Sequence, residues 1–78
     1  MNEYETKDFY CAVLLLTKGF VMSNSKKELD GVHFYFKYDD TELLANVLNE
    51  FINCTATVNL KKYTKNVAMI RRELDKHK

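Results

Sequence analysis

The chain has 78 residues, a formal charge of +1, 46 % hydrophobic residues and 29 % charged residues. That is the length of a single domain and the composition of an ordinary globular one, which excludes a disordered chain of low hydrophobicity and high net charge. The longest apolar run, Cys11 to Leu16, falls far short of the roughly 20 residues that span a bilayer.

The first ten residues carry three acids and one lysine, so no secretory signal is expected and the protein is read as cytoplasmic, with no membrane partner. Two cysteines are too few for a disulfide scaffold and read as free thiols in a reducing compartment. The Asn53-Cys54-Thr55 sequon is then a chance match. With no proline and only Gly19 and Gly31 as breakers, no linker or repeat divides residues 1–78, and the ordered core is expected over about 4–74.

In chain order, Glu3 to Thr6 reads as a short extended segment. Asp8 to Lys18 reads as a first helix, with Thr6 as its N-cap and Gly19 as the C′ glycine. Lys18 suits the negative end of that helix. Phe9, Ala12, Val13 and Leu16 share one side, Tyr10 and Leu14 a second, Cys11 and Leu15 a third. A helix apolar all round must be buried all round, which is hard for so short a chain. A homodimer is therefore expected, with Tyr10, Leu14 and Leu15 as its interface.

Phe20 to Leu29 and Val32 to Tyr38 read as a β-hairpin about Asp30-Gly31, a dipeptide suited to a type I′ turn. Val32, Phe34, Phe36 and Tyr38 alternate with His33, Tyr35 and Lys37, so the first set faces the core. Phe20 and Met22 point inward on the partner strand, and the polar run Ser23 to Glu28 is expected to project into water. Asp39 with Glu42 fits a capping box for a second helix running to about Asn53. Ala56 to Val58 is a short strand candidate. Asn59 caps a third helix from Leu60 to about Lys76, with Leu60, Tyr63, Val67, Ile70 and Leu74 as its apolar stripe.

The predicted fold is a small two-layer α+β domain in the order β-α-β-β-α-β-α. An antiparallel sheet of two to four strands, built on the hairpin, packs with three helices. The first six elements follow the split βαβ, ferredoxin-like order.

Catalytic chemistry has little to stand on. His33 and His77 have no ligand spacing with Cys11 or Cys54, so no metal site or other cofactor is expected. His33 reads as a solvated or stacking residue on the outer strand face. Cys11 reads as a buried inert thiol, and Cys54 has no base or helix N-terminus to activate it. Capping explains Asp39 and Asp40 without acid–base work, and no phosphate loop, Ser–His–Asp arrangement or HExxH appears. The chain reads as a non-enzyme.

Charge is more informative. Residues 1–56 hold nine acids against five lysines, a balance of −4. Residues 57–78 hold seven basic residues against Glu73 and Asp75, a balance of +5. On the third helix Lys61, Lys65, Arg72 and Lys76 fall within about 60° of arc opposite the apolar stripe, with Lys62 at the margin and Met69 inside. A solvated face explains such a ridge blandly. Docking to phosphates or to an acidic protein surface explains it functionally. The lone Met69 favours a protein contact, and the acidic remainder of the chain disfavours a wrapped nucleic acid. No aromatic residue interleaves with these lysines, and Tyr35 beside His33 and Lys37 is the only stacking candidate elsewhere.

Thr6-Lys7-Asp8-Phe9-Tyr10, Leu15-Leu16-Thr17-Lys18-Gly19-Phe20, Val32-His33-Phe34-Tyr35-Phe36 and Thr57-Val58-Asn59 before a basic helix form a combined pattern. From Tyr4 to about Leu74 it resembles a family of small proteins of unknown function from bacteria, archaea and their phages and mobile elements. The resemblance implies a cytoplasmic accessory protein and carries over no catalytic residue. The expected function is stoichiometric binding to a host protein or ribonucleoprotein complex, including inhibition of a CRISPR-type defence complex. The alternative is a nucleic-acid-binding accessory protein that uses the basic helix.

Overall fold

A computed structural model describes residues 2–78. The elements are β1 (Asn2–Thr6), α1 (Phe9–Thr17), β2 (Val21–Glu28), β3 (Gly31–Tyr38), α2 (Thr41–Ile52) and α3 (Leu60–Asp75). Three antiparallel strands and three helices form a small α+β domain, the class that the sequence pattern predicts.

The sheet order is β1-β3-β2, with β3 antiparallel to both neighbours. β1 and β2 therefore run parallel on either side of β3 and are joined through α1, which is the split βαβ unit. The fourth strand expected at Ala56–Val58 does not form, and residues 55–59 have no regular structure. Their side chains have a better partner than a sheet edge. Ala56 packs against the core, Ala56 and Val58 line one hollow with Tyr10, Leu14, Phe51 and Tyr63, and the Thr57 carbonyl accepts from Lys18 Nζ at 2.9 Å. Lys18 also pairs with Glu50 at 3.4 Å, so the end of α1 holds the α2–α3 connection.

The period-two pattern of β3 does as expected. Phe34 and Phe36 are fully buried, flanked by half-buried Val32 and Tyr38. The register places Tyr4 opposite Phe36 on β1 and Met22 opposite Phe36 on β2. A bulge at Ser23 then shifts the alternation of β2. It turns Ser25 to the core side opposite Phe34, where Ser25 Oγ donates to Glu73 at 2.8 Å and meets His77 Nε2 at 2.9 Å. Ser25 is thus half-buried under the end of α3 instead of projecting into water.

Local signals land within two residues of their expected places. Asp8, not Thr6, caps α1, accepting from the Cys11 N–H at 3.0 Å, while Thr6 completes β1. Asp40, not Asp39, caps α2, accepting from the Leu43 N–H at 3.0 Å. Glu42 then sits one position too early to close a capping box. Asn59 caps α3 as predicted. The hairpin turns over Leu29 and Asp30, because Asp30 is held by Lys7 at 3.0 Å and by His33 at 2.7 Å. Of these turn residues only Gly31 has positive φ, at 128°, so the turn is not type I′. Gly19, at φ 98°, is the C′ glycine: the Phe20 N–H bonds Leu15 C=O and the Gly19 N–H bonds Leu16 C=O.

α1 is enclosed within the one chain. Cys11, Ala12, Val13, Leu14 and Leu15 are all buried, with the sheet below and α2 and α3 against the remaining sides. This corrects the expected dimer interface: Leu14 and Leu15 are taken up internally, and only Tyr10 stays exposed. The α1–α3 seam holds one buried polar pair. Asn66 Nδ2 donates to Thr17 Oγ1 at 3.1 Å, and that hydroxyl donates to the Val13 carbonyl at 2.8 Å.

Replacing Thr17 by the near-isosteric Val strands the Asn66 amide in the core. The Thr17→Val variant should lose about 1–3 kcal/mol in denaturant unfolding. Adding Asn66→Leu removes the stranded amide and should recover most of that loss.

Candidate interaction surface

α3 is a helix because Asn59 caps it and its apolar residues recur at helical spacing. Tyr63, Val67, Ile70 and Leu74 turn toward α1, with Asn66 on the Thr17 side. That fixes the rotation of the helix and sends Lys61, Lys62, Lys65, Met69, Arg72 and Lys76 outward, where all six are exposed. At 1.5 Å per residue, the row from Lys61 to Lys76 extends about 22 Å. Asn59, Lys61, Lys62 and Lys65 line a broad open hollow at one end. Lys65, Met69, Arg72, Glu73 and Lys76 line a smaller one at the other.

Ion pairing divides the row. Lys76 Nζ lies 2.7 Å from Glu73 Oε1, so its charge is largely matched. Lys61, Lys62, Lys65 and Arg72 have no carboxylate within ion-pair distance among the described residues. Met69, 40 % exposed, sits between Lys65 and Arg72. The site is thus a strip of unmatched cations with an apolar residue at its middle.

The sheet face away from the helices has the opposite character. Glu3, Glu5 and Glu28 stand there around Tyr35, with Asp30 at the turn. His33 is bracketed by Glu5 at Nδ1 and Asp30 at Nε2, and its side chain is only 16 % exposed. It is neither freely solvated nor stacked. Hydrogen bonds to Asp30 and then to Glu5 raise the His33 pKa above its ordinary value. Hydrogen bonds from His33 and Lys7 lower the Asp30 carboxyl to about 2. Tyr35 is raised, first by loss of solvent and then by the neighbouring Glu5. Lys26 lies 5.5 Å from the Tyr35 ring centroid. Glu3, Glu5 and Asp30 of this face are engaged by Ser23, His33 and Lys7, and Lys26 covers the Tyr35 ring.

The Ser25–Glu73–His77 cluster escapes any sequence motif, because its members lie 48 and 52 residues apart. It lacks the order of a nucleophilic triad, in which imidazole bridges hydroxyl and acid. Here Glu73 takes the hydroxyl itself and pairs with Lys76, whose hydrogen bond is the main cause of its lowered pKa. The cluster ties the hairpin to the end of α3. Asp39 and Asp40 line a cleft with Lys37, Phe20 and Leu43, but Asp40 is occupied as a cap. Cys11 is buried and Cys54 exposed, both as free thiols. Among the described residues no group of three or more His, Cys, Asp or Glu is placed to hold a metal ion, and no helix is long and apolar enough to cross a membrane.

The chain belongs to the family described as a domain of unknown function, DUF5659, whose model matches residues 1–75. No curated protein and no solved structure matches it.

The His33 bracket makes stability depend on pH with a definite sign. An unfolded histidine titrates near 6.5, and the folded value is higher. The bracket therefore contributes fully below 6.5 and is lost as pH rises through the folded value. The charges facing it are Glu5 on β1, Asp30 with its partner Lys7, and Lys26, the register partner on β2. Melting temperatures measured from pH 6 to 9 should show the advantage of wild type over His33→Gln shrinking as pH rises.

Proposed function

We propose that this DUF5659 protein is a non-enzymatic binding protein that docks the outer face of α3 on an acidic surface of a partner protein. Met69 carries the reading. A phosphate backbone needs only the cations, whereas an exposed apolar side chain set among unmatched Lys65 and Arg72 suits the mixed core of a protein interface. The unmatched cations of the row, Lys61, Lys62, Lys65 and Arg72, supply steering and register toward an acidic partner.

The rest of the molecule supports the same division of labour. On the sheet face Glu5 and Asp30 are paired with His33, so these two acids do not compete for the α3 cations. A nucleic acid long enough to pass beyond α3 would meet Glu3, Glu5 and Glu28 if it wrapped onto the sheet. The family resemblance adds a setting: a cytoplasmic accessory protein that acts stoichiometrically, of the kind that blocks a CRISPR-type defence complex.

The test is affinity capture with wild type and with Lys61→Glu/Lys65→Glu/Arg72→Glu, each with and without nuclease. A protein partner should survive nuclease with wild type and fall by roughly tenfold with the triple reversal, as fully engaged interface cations do. Loss of recovery on nuclease treatment would instead assign the row to phosphates. In that case affinity should fall steeply with salt, with a slope of roughly −3 to −4 for four contacts.

A further inference from the structure

Exposed apolar residues such as Leu29 at the hairpin turn stand singly, as on most proteins. Tyr10 does not. Its ring is 60 % exposed and forms the wall between two hollows. One, of about 220 Å³, is bounded by Tyr10, Leu14, Phe51, Ala56, Val58 and Tyr63. The other, of about 340 Å³, is bounded by Phe9, Tyr10, Arg71 and Leu74. The Phe9 and Tyr10 rings meet edge to face with centroids 5.1 Å apart, which steadies the wall.

The two ends of this surface differ in charge. Arg71 lies over the Phe9 ring, 5.7 Å from its centroid, and has no carboxylate within ion-pair distance among the described residues. Its guanidinium N–H groups are open to a ligand. The Tyr63 hollow has no charged residue in its lining. A ligand carboxylate is therefore drawn to the Arg71 end, so the surface has a direction.

We infer that these hollows receive a short segment of a partner protein, with one apolar side chain on each side of Tyr10 and a carboxylate that meets Arg71. The inference rests on the reading of α3 as a protein-docking face and extends that face round the helix onto α1. A second copy of this chain as the occupant would instead show as a doubled mass in solution. Apolar anchors beside a charge-assisted contact are the usual way a short segment gains both affinity and orientation.

The probe is a displayed library of random peptides of about twelve residues, long enough to cross both hollows when extended. Selection on the wild-type protein should recover peptides with two apolar residues beside an acid. Their affinities are then measured on Tyr10→Ser, Arg71→Glu and Lys61→Glu/Lys65→Glu/Arg72→Glu. Tyr10 and Arg71 are exposed, and melting curves check that each variant folds. Binding should weaken by roughly tenfold or more on each single variant and much less on the triple one. Peptides without that pattern, or peptides indifferent to both single changes, overturn the inference. If the peptides weaken only on the triple variant, the α3 face stands and the Tyr10 hollows fall. If no variant matters, or no peptide is selected, the Tyr10 hollows fall, and the α3 face stands or falls by the capture experiment alone.

Discussion

The structure depends on the enclosure of one short helix. From Cys11 to Leu15 every side chain of α1 is buried, so each side of the helix needs a covering element. The sheet takes one side, and α3 makes the main helix contact on another. Burying a Leu or Val side chain contributes about 1.5–3 kcal/mol, which makes this enclosure the largest favourable term open to so small a chain. Direction comes from the Asn66–Thr17 bond, the only buried polar pair found between α1 and α3. Apolar packing alone tolerates rotation and slippage of one helix on another. A buried amide with one acceptor does not.

The surface chemistry follows from that seam. Once Asn66 and Ile70 are turned inward, Lys61, Lys65 and Arg72 have to point away from the body. They find no acid within ion-pair distance there, while Glu3, Glu5 and Asp30 of the sheet face are engaged with Ser23, His33 and Lys7. A net charge near zero thus hides a separated distribution, with acids held around His33 and a strip of unmatched cations on α3. Separation of this kind matters more for partner choice than the total does. The Tyr10 hollows lie where α1 emerges from beneath α3, so the apolar and cationic surfaces are neighbours for a structural reason.

Elements with a strong periodic signal were legible in the sequence: the β3 alternation, the α3 stripe, the Asn59 cap and the Gly19 stop all stand where the pattern puts them. Local choices between nearby capping residues were not. Asp8 over Thr6 and Asp40 over Asp39 are settled by where the strands end, which residue types alone do not reveal. Ala56–Val58 has strand composition, yet packing of Ala56 against the core and the Lys18 bond to Thr57 override it. The bulge at Ser23 leaves no mark in the sequence, so the burial of Ser25 could not be foreseen. Of the candidate surface, the α3 row was fully legible because a wheel needs only spacing. The pairing of Lys76 with Glu73 and the open guanidinium of Arg71 required the fold.

The enclosure of α1 within a single chain is the claim from which the rest follows, and the mass of the protein in solution tests it most directly. Sedimentation equilibrium should return the monomer mass of 9.2 kDa across the accessible concentration range. A monomer means that Leu14 and Leu15 are covered by the chain's own helices and that Tyr10 and the α3 row are free for a different protein. A stable species of twice that mass would contradict the account, because a second copy would then be covering the surface assigned to a partner.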